Sequence, residues 1–110
     1  MAEEGSALLG FAALCPSRDS DQDPAVVGEI ASFYVAPDAW RQGVGRSLMA
    51  SSVQTLAAAG YSDAALWVLD TNLAAIAFYR ATGWHPDGAI KDDAFGGVPI
   101  RDLRCRRTLA

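Results

Sequence analysis

A strand ending at Val35 and a helix beginning near Val44 are joined by a turn holding glycines at 43 and 45, and that junction limits the fold more than any other stretch. A helix opens with backbone N–H groups that lack intrahelical partners and with the positive end of its dipole. The amides from Gln42 to Arg46 can therefore converge on an anion. Glycine at both positions leaves no Cβ between backbone and ligand. A Gly-x-Gly alone is also an ordinary strand-to-helix turn. Two nucleotide folds are excluded by the letters. A P-loop needs lysine after its last glycine, where Arg46-Ser47 stands; a dinucleotide fold needs a third glycine where Leu48 stands.

The rest of the chain reads as alternating elements in a single domain spanning 1–110. Gly5-Ser6 reads as a hairpin turn before a strand over Ala7 to Leu14, and the Asp- and Ser-rich stretch from Pro16 to Pro24 as a loop. Ile30 to Val35 is a strand whose apolar composition suits a covered sheet. From Val44, the residues Leu48, Met49, Val53 and Leu56 recur at helical spacing, and Gly60 sits where a helix ends. Ala64 to Leu69 is a short, buried strand. Asp70, Thr71 and Asn72 offer N-cap oxygens for a second helix that stops at Gly83. Two final segments, Ala89 to Phe95 and Val98 to Thr108, meet at Gly96-Gly97 as a closing hairpin. The order predicts an α/β fold: a mixed, mostly antiparallel sheet flanked by crossover helices.

Charge and composition narrow the function classes. A net charge of -4 argues against a nucleic-acid partner. Arg101, Arg104, Arg106 and Arg107 cluster near the end, but on an extended strand they scatter over both faces and read as a solvated sheet margin. No uninterrupted apolar stretch reaches membrane-span length, and the acidic start Met1-Ala2-Glu3-Glu4 lacks the basic region of a signal peptide. The default expectation is a cytoplasmic protein without a membrane partner. Cys15 and Cys105 have no metal spacing and read as thiols.

Three segments, taken together and in order, resemble the GNAT superfamily of acyl-CoA-dependent N-acetyltransferases: Gly28 to Pro37, the glycine turn, and Asn72 to Trp84 after the strand Ala64 to Leu69. The resemblance covers Ala2 to Leu109. One departure is Trp40, where many members carry Arg or Gln. Another is that the chain enters the family's usual order midway, lacking the N-terminal strand and two helices that wall the acceptor side. That implies an uncovered apolar sheet surface, association into a homo-oligomer, and weakened catalysis.

The resemblance implies acetyl-CoA as co-substrate and direct attack on its thioester by the amine of a small-molecule or peptide acceptor. Phe33, Tyr34 and Val35 would pair with the pantetheine arm where their strand splays from the next at a bulge, a backbone N–H near Tyr34 polarising the thioester carbonyl. Arg41, Gln42, Gly43, Val44, Gly45 and Arg46 would hold the pyrophosphate. Asn72 would bond the pantetheine arm or cap its helix, and Phe78 belongs to the cofactor wall or the core. Tyr79 is the candidate general acid, placing a phenol beside the thioester sulfur; Glu29 is the candidate base through water, or a solvent-facing residue if the register slips by one. His85 reads as a loop histidine, and Asp92 and Asp93 as turn residues or amine attractants. The competing reading is a truncated, non-catalytic protein that binds acyl-CoA or a protein subunit.

Overall fold

The computed structural model describes residues 2–4, 7–37 and 43–109. In chain order these form β1 (Ala2–Glu4), β2 (Ala7–Pro16), β3 (Val27–Val35), α1 (Val44–Ala58), β4 (Asp63–Leu69), α2 (Leu73–Ala81), β5 (His85–Phe95) and β6 (Val98–Thr108). The Gly5-Ser6 turn lies outside the described residues.

Six strands form one sheet in the order β1-β2-β3-β4-β6-β5. Only the β3–β4 pair is parallel. β4 sits near the middle, which suits its apolar run: Ala64, Ala65, Leu66 and Val68 are all buried. Gly96 and Gly97 both have positive φ, 58° and 81°, the conformation that a two-residue hairpin turn needs, so the β5–β6 hairpin closes there. Three strands begin earlier than the sequence predicts, β3 at Val27, β4 by one residue at Asp63, and β5 at His85. At β3 the cause is long-range: Val27 and Gly28 pair with Asp63 and Ala64 of β4, a partnership local composition does not report.

A bulge organises the two faces of the sheet. Along β2–β3 the register passes from Ala13↔Ser32 to Leu14↔Ile30, leaving Ala31 as an extra residue on β3. Alternation is therefore reset, and Phe33 and Val35 join the face that carries Gly28 and Ile30. Both helices pack there. A Cβ on Gly28 would meet Leu56 of α1; the Phe33 ring lies 5.7 Å from that of Phe78 on α2. The core on this face holds Ile30, Met49, Leu56, Leu66, Trp84 and Cys105.

The opposite face carries Glu29, Tyr34 and Trp67. It is covered in part by the segment from Ser17 to Val26, whose Ser17 N–H donates to the Val27 carbonyl at 2.9 Å. Here the expectation of a bare apolar surface needs correction near β4 and β6. Arg104, expected at a solvated margin, is only 6% exposed, and its guanidinium bonds Asp19, Asp21 and Asp87. Farther out, Phe11 and Tyr34 do remain exposed, as a ring pair 5.6 Å apart.

Candidate functional site

β3 and β4 pair from Val27↔Asp63 to Ile30↔Leu66 and no further. Immediately after, Ala31 bulges, so the C-terminal halves of two parallel neighbours diverge. An opening between parallel strands exposes ladder groups to whatever lies between them. The sheet thus has a slot beginning at Trp67 on one side and running along Phe33 and Tyr34 on the other.

α1 begins beside that slot. Its N-cap is Gly43, at φ 80° and ψ 0°, a left-handed conformation that glycine adopts without a Cβ penalty. The Ser47 N–H donates to the Gly43 carbonyl at 3.0 Å, the first bond of the helix. Among the described residues no side chain caps the helix, and no acidic residue occupies its first turn. The amides of Val44, Gly45 and Arg46 and the dipole's positive end are left for an anion, and Arg46 is exposed next to them. Among the described residues, a Cβ at Gly43 would have no atom within 4 Å. Gly45 also serves helix packing. A Cβ there would face Phe78 at 3.4 Å and Val35 at 3.7 Å, so the missing side chain lets the start of α1 settle against α2. Trp40, Arg41 and Gln42 lie outside the described residues.

Tyr79 projects from α2 into the aromatic group formed by Phe33 and Phe78, at ring distances of 6.3 and 5.7 Å. Burial, and to a lesser degree Cys105, pushes its phenol above the ordinary tyrosine value. The hydroxyl therefore stays protonated at neutral pH, the form a proton donor requires. Asn72 caps α2, its Oδ1 accepting from the Ala75 N–H at 3.2 Å. Gly45, Val35, Phe33, Phe78 and Tyr79 thus meet on the helix-bearing face.

Glu29 does not join them. It lies on the opposite face, 1% exposed, and Arg18 engages both carboxylate oxygens: the backbone N–H to Oε1 at 3.1 Å, Nε and Nη2 to Oε2 at 3.0 and 2.5 Å. His85 is exposed at the start of β5. Asp92 pairs with Arg101 at 2.8 Å, and Asp93 accepts from the Ala94 N–H. Burial pushes the thiols of Cys15 and Cys105 up, so both are protonated at neutral pH.

The helix-free face holds a cleft of about 410 Å³ that the linear sequence does not reveal. Arg18, Asp19, Trp67, Lys91 and Arg104 line it. The Trp67 Nε1–H donates to Asp19 at 3.1 Å, and the Lys91 ammonium lies 4.3 Å from the Trp67 ring centroid. Arg104 ties the cleft together by bonding Asp21 through both Nη atoms, at 2.7 and 2.9 Å, and Asp87 through Nε at 2.7 Å. The pairing holds Asp21 down to about 2. These partners lie up to 85 residues apart. No local spacing signals them.

Comparison with known proteins agrees with this geometry. The model of the Acetyltransferase (GNAT) family matches residues 1–84. YuaI of Bacillus subtilis, an uncharacterized N-acetyltransferase, is 31% identical over 102 residues, 92% of this chain and 56% of its own length. The mycothiol acetyltransferase of Kocuria rhizophila is 35% identical over 83 residues, 73% of this chain and 27% of its own. The chain therefore spans just over half of one relative and about a quarter of the other. In fold it superimposes on yncA of Salmonella typhimurium, solved with its cofactor acetyl-CoA, with a TM-score of 0.82 at 20% identity, covering 98% of this chain and 62% of that one. With a family match over most of its residues, a slot between β3 and β4, and beside it a helix start with no side-chain cap among the described residues, the chain belongs to the GNAT acetyltransferase family.

Proposed function

We propose that the chain transfers the acetyl group of acetyl-CoA to an amine, by direct attack on the thioester. The observation that carries this reading is the adjacency of two features: strands that stop pairing at Ile30 and Leu66, and a helix start that, among the described residues, has no side-chain cap and no acidic residue in its first turn. The slot suits an extended amide-bearing arm, pairing with β3 along Phe33 to Val35 as an added strand. The helix start suits a pyrophosphate on the amides of Val44, Gly45 and Arg46, with Arg41 and Gln42 completing the anion site.

Within that frame the backbone near Tyr34 polarises the thioester carbonyl, and Tyr79 gives its proton to the departing thiolate. The acceptor comes from the helix-free face through the Trp67 cleft. There the amine loses its proton to water, because the Glu29 carboxylate is committed to Arg18. Glu29 serves as the base only when Arg18 releases it. That engagement favours a second reading, a chain that binds acyl-CoA without turnover.

One experiment separates the two. Acetyl-CoA is titrated by calorimetry while thiol release is followed against a panel of amines. Binding with turnover supports transfer, binding alone supports the second reading, and no binding at large excess overturns both.

A further inference from the structure

We propose that Lys91 is an acetylation site of the chain's own making, a resident amine that the transfer site modifies in place. The inference rests on the acetyl-transfer reading above. Lys91 is the single lysine among 110 residues, and the fold sets it at one particular location. β4 leaves its pairing with β3 at Leu66; the next residue, Trp67, turns its indole to the helix-free face. Asp19 pins that indole by accepting from its Nε1–H at 3.1 and 3.2 Å. From β5 the Lys91 side chain reaches past β6, so that its ammonium sits over the pinned ring bordering the slot, 4.3 Å from its centroid. Cation–π contact holds the protonated amine there, and the flexible stem lets it leave the ring and lose its proton before it attacks. Tyr79 lies on the other face, so amine and proton donor flank the slot from opposite sides.

The chemistry balances with an acyl thioester of CoA as co-reactant. The Lys91 ammonium gives one proton to water in the open cleft. Its nitrogen forms a bond to the thioester carbonyl carbon, the carbon–sulfur bond breaks, and the thiolate takes a proton from the Tyr79 phenol. The nitrogen's second proton restores the phenol through solvent. The products are Nε-acetyl-Lys91 and free CoA thiol, and no oxidant or reductant is needed. Acetylation removes the Lys91 charge over Trp67 and leaves Arg104, 5.6 Å from the ring centroid, as the cation beside it.

The test incubates the full chain with acetyl-CoA and no added amine, followed by intact mass measurement and peptide mapping. The expected result is one added acetyl group on the peptide that holds Lys91, at a rate independent of protein concentration because both reactants are on one chain. The rate should fall about tenfold or more in Tyr79→Phe and in urea-unfolded chain, and fall also in Trp67→Leu. Lys91→Arg should abolish the label. Labelling that accelerates with protein concentration, or that proceeds equally in unfolded chain, overturns the proposal. Thiol release with added amines but no label on Lys91 overturns it and leaves the transfer reading standing. Failure to bind acetyl-CoA overturns both.

Discussion

Replacing Arg104 by methionine removes the cation that ties two segments, the stretch holding Asp19 and Asp21 and the start of β5 with Asp87, to β6 on the helix-free face. Arg104 is 6% exposed, and its partners differ: the side chains of Asp19 and Asp87 are 10% and 17% exposed, that of Asp21 61%. Deleting one member of a buried ion pair costs about 3–5 kcal/mol, because the remaining charge is left desolvated. Asp19 keeps its bond from Trp67 Nε1, and Asp21 turns to water, which places the expected loss near 3 kcal/mol. Asp21→Asn, on the exposed arm, should cost far less, because its charge is solvated and screened. Urea unfolding of the two variants beside the parent measures both values.

Acid supplies a sign test of the same cluster. The Asp21 pKa is pushed down to about 2, below its value in the unfolded chain, so the stability it lends is present above the unfolded pKa of about 3.9. That stability is lost as pH falls through about 2. The gap between parent and Arg104→Met should therefore narrow as pH is lowered from about 4 towards 2. An Arg104→Met loss no larger than that of Asp21→Asn, with no narrowing in acid, would refute the idea that Arg104 closes this face.

Two further perturbations address the slot. Gly43→Val places a β-branched residue at φ 80°, beside the α1 amides, and should weaken CoA binding about tenfold, near 1.4 kcal/mol, by calorimetry. Gly45→Val pushes into Phe78, where even a Cβ would stand at 3.4 Å, and should lower the melting temperature as well as the affinity. Tyr79→Phe should lower kcat roughly 10²-fold with little change in CoA affinity, and unchanged turnover would return Tyr79 to packing alone.

Local signals were enough for much of the fold. Asn72 acts as the N-cap its type and position predict, and Gly96-Gly97 closes the hairpin because both residues take positive φ. The α1 stripe of Leu48, Met49 and Leu56 is buried as its spacing requires. Other features depend on partners far along the chain. Glu29 reads either as base or as a solvent-facing residue in the letters; it is buried and paired with Arg18, in a segment that reads only as loop. Arg104 looks like one of several margin arginines until Asp19, Asp21 and Asp87 are brought to it. Gly45 reads as an anion-site glycine, yet the space it saves is on the Phe78 side. Trp67 and Lys91 carry no motif, and they meet only because β4 and β5 both flank β6.

The most direct measurement of the central claim is CoA thiol release from acetyl-CoA across the amine panel, run on the parent chain and Tyr79→Phe beside a calorimetric titration of both. Both proteins should bind acetyl-CoA saturably, and turnover should fall roughly 10²-fold in the variant. A parent chain that neither binds acetyl-CoA at large excess nor releases thiol with any amine would contradict it.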